Sequence, residues 1–272
     1  MNTLSREAPR TQIELEVIAC SLDDAVEAYH GGASRLEVTV RLDQAGLTPP
    51  LDMVREIIQK VPLPVRVMLR DRPDFSVDGN AKLDCLNRKA VEFAALSVKA
   101  KGNESISCSG GLRPPKSRRS ESAATMQVEG LVTGHVKDSR LDLAALDKII
   151  SAAPSLRVTV HHAIEATSDP IGTLRALRTF PNVDRALVSG GVGRIEERIE
   201  RLLRLREAFG PERSLIAGGN LTLEMLCPLR DATGIRIFHL GRAVRTPEKS
   251  GGRVDSAKVR MAADLLGAVT NL

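Results

Sequence analysis

The feature that most constrains this chain is one pattern met eight times: a short apolar run, then a stretch with helical spacing. ELEVIAC precedes SLDDAVEAYHGGA, RLEVTV leads through a loop to PLDMVREIIQKV, and PVRVMLR leads through a polar loop to LDCLNRKAVEFAAL. VEGLVTG precedes LDLAALDKIISAA, LRVTVHHA precedes DPIGTLRALRTF, and DRALVSGG precedes RIEERIERLLRLREAF. RSLIAGG then precedes LTLEMLCPLRDAT, and IRIFHLG precedes DSAKVRMAADLL. Strict alternation of strand-like and helix-like runs demands parallel strands with helical crossovers. Eight units in 272 residues match the length of a (β/α)8 TIM barrel. The competing doubly wound sheet has fewer units and a G-x-G-x-x-G after its first strand. No such motif follows ELEVIAC. The fold expected is α/β, a single-domain TIM barrel over residues 13–272 behind a flexible N-terminus of residues 1–12. Ser21 reads as the first helix's N-cap, with Gly31-Gly32 as its stop, and Asp169-Pro170 as a helix start.

Residues 97–125, between the third helix and the fourth strand, break the rhythm. They are rich in Ser, Gly, Pro and base, with no apolar period, and read as a disordered basic insertion. Six bases (Lys99, Lys101, Arg113, Lys116, Arg118, Arg119) against two acids (Glu104, Glu121) give 6 − 2 = +4 of the formal +5. The basic balance thus belongs to one segment, either a solvated loop or a docking segment for an acidic partner centred on Arg118-Arg119. With no Trp, one Tyr and five Phe, platforms for stacking single-stranded nucleic acid are not expected. Cys20, Cys85, Cys108 and Cys227 show neither C-x-x-C nor zinc-type spacing, which suits free thiols in a reducing compartment. No apolar window is long enough to span a bilayer, and MNTLSREAPRTQ lacks a signal-peptide run, so the cytoplasm is the expected location.

Barrel strands send alternate side chains inward and outward, and the outward set packs on helices. Leu15, Val17 and Ala19 then face the helices, and Glu16 and Ile18 face the barrel. By the same parity Leu36, Val38 and Val40 face out, with Glu37 and Thr39 inside, and Val65, Val67 and Leu69 face out, with Met68 and Arg70 inside. Thr159 and His161 are inward on the fifth strand, Leu187 and Ser189 on the sixth. On the last strand Ile235 and Ile237 share the parity of His239. Buried charges need partners, so Glu16, Glu37, Arg70 and His161 are expected to pair with one another. Such a set either closes the barrel or serves as an acid/base site, because Arg70, His161 and Ser189 fall at strand ends, where TIM-barrel sites form.

Gly218-Gly219 after the seventh strand and Gly241-Arg242 after the eighth lie where barrels of this class hold phosphate, and Arg242 offers an anion fork. Turn geometry alone also accounts for these glycines. His161 and His162 converge only if the strand ends between them. His30 and His135 read as surface or loop histidines.

Several segments in order resemble the CutC family, copper homeostasis proteins with a TIM-barrel fold. ELEVIACSLDDAVEAYHGGASRLEV is similar to that family's opening: strand with Glu, Ser-led helix, Gly-Gly-Ala turn, second strand with Glu. AGLTPPLDMV resembles its G-G-L-T-P-S segment, LRDRPDF its I-R-P-R-G-G-D-F loop, and GLVTGHVKDSRLD its fourth strand and loop. VTVHHAIE resembles its V-T-F-H-R-A-F-D, and LVSGG its L-T-S-G-G. The likeness runs from Ile13 to about Ala243, apart from the basic insertion. It implies Glu16, Glu37, Arg70, Arg72, Asp74, His161, Ser189, Gly190 and His239 as the polar rim and interior. Members proposed to bind Cu(I) carry cysteines where this chain has Ile18 and Thr39. Cu(I) prefers thiolate or thioether, and only Cys20 and Met68 stand near those positions. Other departures are Ala45 for Gly, a shortened loop over Asp71–Asp74, His162 for Arg and Glu165 for Asp.

The resemblance implies an association with copper homeostasis and copper binding, and no established reaction. The alternative is a TIM-barrel enzyme acting on a small anionic metabolite, phosphorylated or not, through a Glu/His acid-base pair: Glu16 or Glu37 as base, His161 as acid. Arg70, Arg72, Ser189, Gly190, Gly218, Gly219, His239, Gly241 and Arg242 would complete its pocket. A third reading is a binding scaffold working through the basic insertion. Copper is the one cofactor the resemblance implies, and no metal-ligating set is assigned. A small anionic ligand or metal ion is the expected partner, with no nucleic acid or membrane, and a homo-oligomer is left open.

Overall fold

The computed structural model describes residues 12–77, 79–97 and 127–268. Eight parallel strands close into a barrel: β1 (Glu14–Ala19), β2 (Arg35–Val38), β3 (Val65–Met68), β4 (Val128–Thr133), β5 (Arg157–Val160), β6 (Val183–Val188), β7 (Ser214–Ala217) and β8 (Ile237–Leu240). The hydrogen-bonded order runs β1-β8-β7-β6-β5-β4-β3-β2, so the last strand pairs with the first. Each strand is followed by a helix: α1 (Leu22–His30), α2 (Leu51–Lys60), α3 (Gly79–Ala95), α4 (Leu143–Ala152), α5 (Pro170–Leu177), α6 (Ile195–Phe209), α7 (Leu226–Thr233) and α8 (Ser256–Leu266). The expected TIM barrel is the fold observed.

The helices start where short polar side chains satisfy orphan amides. Ser21 accepts from the Asp24 amide at 3.1 Å, and Asp142, Asp169 and Asp255 cap α4, α5 and α8. Pro170 occupies the first turn of α5, where its missing N–H costs nothing. Between strands and helices lies one aliphatic shell holding Leu15, Val17, Ala19, Leu36, Val38, Val65, Val67, Leu69, Val158, Val160, Ala186 and Val188. Each such burial is worth about 1.5–3 kcal/mol for a Val- or Leu-sized side chain. Inside the barrel, Leu187, Ile216 and Ile237 form a separate apolar wall.

Two details differ from the parity reading. β2 ends at Val38, and Val40 is half-buried in an antiparallel bridge to Leu47 within the β2–α2 loop. Ile235 precedes β8 and packs in the outer shell, whereas Ile237 turns inward with the parity of His239. Of the basic insertion, all but Ser97 lies outside the described residues, as do residues 1–11 of the N-terminus. Among the described residues no helix is long and apolar enough to cross a membrane.

The N-terminal end of the barrel holds a set of charges that the parity reading did not single out. Arg35 bridges Glu14 at 2.7 Å and Glu129 at 2.9 Å. Arg66 sits 3.5 Å from Glu129 and 2.6 Å from Asp184. Arg185 returns from Asp184, at 3.9 Å, to Glu14, at 3.0 Å. Three arginines and three carboxylates thus close a six-membered ring of alternating charge. Arg66, fully buried, also donates to Thr159 Oγ1 at 2.7 Å.

Candidate functional site

The opposite, C-terminal end opens into a cavity of about 550 Å³. Its lower wall is made by inward residues of β1, β2, β3 and β8 or their ends: Ile18, Glu37, Thr39, Met68, Arg70 and His239. His161, His162 and Phe75 form one side, and the loops after β7 and β8 close the rim through Gly219, Asn220, Gly241 and Arg242. Strand register explains how the charged floor assembles. Glu16 lies level with His239 across the β1–β8 pair, and Ile18 lies level with Glu37 across β1–β2. Same-face neighbours on adjacent strands must touch.

His239 Nδ1 is accordingly 2.8 Å from Glu16 Oε1 and 3.9 Å from Glu37 Oε2. Burial acts against charge on all three groups, but the outcomes diverge. For Glu37, burial and the neighbouring Glu16 push the carboxyl up to about 7, against the pull of His239 and Arg70. Burial would also raise Glu16. The hydrogen bond and charge of His239, with Arg35 and Arg66 nearby, outweigh it and hold that carboxyl below its usual range. Burial likewise opposes charge on His239, and Glu37 and Glu16 overcome it, raising the imidazole. Glu16 Oε2 and Glu37 Oε2 are buried and accept no hydrogen bond from the protein.

The expected Glu–Arg–His network is therefore regrouped. Both glutamates gather on His239, and Arg70 turns away. Its Nε and Nη2 donate to the Gly46 carbonyl at 3.0 and 2.6 Å, and Nη2 also reaches the Gln44 and Ala45 carbonyls. The cause is the β2–α2 loop, where Arg41 and Ala45 adopt left-handed φ and aim three carbonyls inward. Arg70 is a loop anchor as well as a wall residue, and its guanidinium lies over the Phe75 ring at 5.0 Å.

His161 stacks against the same ring at 5.1 Å, is buried, and accepts from the Ala163 amide through Nδ1. Nδ1 as acceptor leaves the proton on Nε2, which has no protein partner. Burial, then the charges of Arg70, His162 and His135, hold its pKa well below the ordinary imidazole value. His161 is thus a neutral hydrogen-bond donor, not the ready acid expected. Because β5 ends at Val160, His161 and His162 both reach the cavity. His135 corrects a further expectation: it is a loop residue, but it is buried, and its pKa falls to about 4, chiefly through burial.

Other candidates lie off the cavity wall. Ser189 donates from its amide and hydroxyl, and Gly190 from its amide, to Glu165, which also meets His162 Nδ1 at 3.0 Å. These donors organise the β6–α6 loop, so Ser189 and Gly190 are already committed. Arg72 is exposed and pairs with Asp74 at 3.0 Å. Gly218 packs under Leu187 and His239. Gly219 and Gly241 do line the rim. A Cβ on Gly219, whose φ is +73°, would stand 2.8 Å from Ser189 Cβ. Arg242, on the rim, is hydrogen-bonded to Asn220 Oδ1.

The chain's relatives agree with this architecture. The CutC family model matches residues 13–98 and 118–244, most of the chain. The chain belongs to the CutC family. A CutC family protein of Xanthomonas campestris pv. campestris (strain 8004) is 27% identical over 266 residues, spanning 93% of this chain and 98% of that protein. The human copper homeostasis protein cutC homolog is 25% identical over 252 residues, spanning 92% of this chain and 80% of that protein. A crystal structure of CutC from Streptococcus agalactiae superposes with a TM-score of 0.66 at 21% identity, covering 84% of this chain and 98% of that one. The fold of this CutC-family chain is thereby shared, and its family carries a copper-homeostasis name.

The donors at this CutC cavity are not those Cu(I) prefers. Ile18 supplies none, and the Thr39 hydroxyl donates to the Leu47 carbonyl at 2.9 Å. Cys20 lies off the cavity wall, 3.7 Å from Arg245, and burial pushes its thiol up to about 11. Cys85 and Cys227 sit on α3 and α7. Among the described residues, the Met68 thioether is the one sulfur on the wall.

Proposed function

We propose that this CutC-family chain is an enzyme acting on a small anionic metabolite in the C-terminal cavity, with the Glu16–Glu37–His239 floor at the reacting end. One observation carries this reading. Carboxylate oxygens are left unpartnered beneath a cavity of about 550 Å³, where a purely structural cluster would pair them. His161, on another wall of the cavity, keeps an Nε2–H without a protein partner, and Arg242 at the rim supplies positive charge. A cavity of this volume suits a small metabolite. The family's association with copper homeostasis stands at the level of its name. The donor chemistry of this chain favours metabolite binding over Cu(I) retention.

A thermal-shift screen with small phosphorylated and carboxylated metabolites tests the reading. Ligands that stabilise the wild type should lose the effect in Glu37→Gln and in His161→Ala. If none stabilises it, and the protein instead retains one equivalent of Cu(I) after anaerobic titration, the reading is wrong.

A further inference from the structure

We propose that Glu16, Glu37 and His239 bind one hard or borderline divalent cation, of the Mn²⁺, Fe²⁺ or Zn²⁺ class. The inference rests on the reading above for the location of the reacting end, and deepens it by naming a cofactor.

Each of the three side chains offers one ligand atom, and all three atoms lie within 4.8 Å of one another. Ligands about 2.0–2.2 Å from a common centre stand roughly 3.0–3.5 Å apart. The His239–Glu16 distance of 2.8 Å and the His239–Glu37 distance of 3.9 Å bracket that range, and the Glu16 and Glu37 ligand oxygens lie within 4.8 Å of each other. The three ligands come from β1, β2 and β8, which are contiguous in the barrel, and no loop has to move.

A second observation points to an occupant. Glu16 and Glu37 are only 1% and 2% exposed, yet each has an Oε2 with no hydrogen bond. Buried carboxylate oxygens left in this way are costly. A cation held by both carboxylates and the His239 Nδ1 lone pair would take the place of the proton now shared between His239 and Glu16. Arg70 does not fill that role, because the Gln44, Ala45 and Gly46 carbonyls hold its guanidinium. The donor set of two oxygens and one imidazole nitrogen suits Mn²⁺, Fe²⁺ or Zn²⁺ and is poor for Cu(I). Glu37 and His239 also face the cavity, so the cation's remaining positions open toward a bound molecule.

The test uses the full chain stripped with EDTA and titrated with Mn²⁺ or Zn²⁺ alone, read by calorimetry and by melting temperature. One equivalent of either ion should bind and raise the melting temperature. Loss of an outer-shell partner alone costs about 10–100-fold in metal affinity, so Glu16→Gln and Glu37→Gln should each weaken binding by at least that. Melting of both variants in EDTA identifies the folded ones, and His239→Gln stands in for either that fails. Failure of the folded wild type to bind either ion overturns the proposal, as does a folded variant that binds as tightly as the wild type. Repeating the metabolite screen in EDTA separates the two readings. Metabolite stabilisation without cation binding sinks only this inference, and cation binding without metabolite stabilisation sinks only the reading above.

Discussion

His239 and Glu16, 223 positions apart in sequence, meet at 2.8 Å because β8 closes the barrel against β1. His239 is also the base nearest Glu37, at 3.9 Å. Replacing it with Ala strands two buried carboxylates, a situation that typically costs about 3–5 kcal/mol. We predict a loss of that order in urea denaturation of metal-free protein. A loss under about 1 kcal/mol would show that the cluster is not held together as described.

The ring at the other end predicts a contrast between two ion pairs. Arg66 is fully buried between Glu129 and Asp184, and Arg66→Met should cost about 3 kcal/mol. Lys60 and Glu56 are 56% and 49% exposed at 2.7 Å, and Lys60→Met should cost no more than about 0.5 kcal/mol. Equal costs in denaturant melts would contradict the assignment of the ring as a buried network.

Acid should destabilise the fold through His135. Its folded pKa is about 4, against about 6.5 for an unperturbed imidazole. As pH falls below 6.5 the unfolded chain takes up a proton that the folded chain refuses, so stability declines until the folded group also protonates near 4. The loss is on the order of 3 kcal/mol. His161, depressed in the same direction, adds to it. His135→Gln should flatten part of this slope in melts recorded from pH 7 to 4.5, and an unchanged slope would refute the assignment.

Glu165 holds the β6–α6 loop by accepting from the Ser189 amide at 2.8 Å, the Ser189 hydroxyl at 3.0 Å and the Gly190 amide at 2.9 Å. Glu165→Gln replaces one accepting oxygen with a donor facing donors, at about 1–3 kcal/mol. Hydrogen exchange should speed up at Ser189–Gly193 while the strands stay protected. Unchanged exchange there would mean that the loop is held instead by Arg198, which donates to the Ser189 carbonyl, and Arg201, which donates to the Gly190 and Val192 carbonyls.

The eightfold alternation was legible in sequence because strands carry period-two apolar positions and helices carry caps such as Ser21 and Asp169. Parity then placed Glu16, Glu37, Met68 and His161 correctly inside. It could not say which inward charges meet, since partner choice depends on register between strands distant in sequence. His239 is an example: its level against Glu16 follows from barrel closure, which no local signal records. Arg70 departs from the expected pairing with the glutamates because the left-handed turns at Arg41 and Ala45, which offer it carbonyls, fall on residues without glycine's usual signal. Arg35, Arg66 and Arg185 share the inward parity, and Asp184 sits at a register shift that parity alone cannot foresee. Scanning inward positions at the N-terminal ends of the strands for opposite charges would have found most of that ring.

That ring has a consequence for how the strands are staggered. Its six charges come from β1, β2, β3, β4 and β6 and alternate in sign around the circuit. If one of these strands slid along its neighbour, its charge would lose two opposite partners together, and a single-residue slip would also turn it outward among the aliphatic residues under the helices. The offset of strands far apart in the chain is thus written in electrostatics at the closed end of the barrel, while the glutamates and histidine at the open end need that same offset to meet.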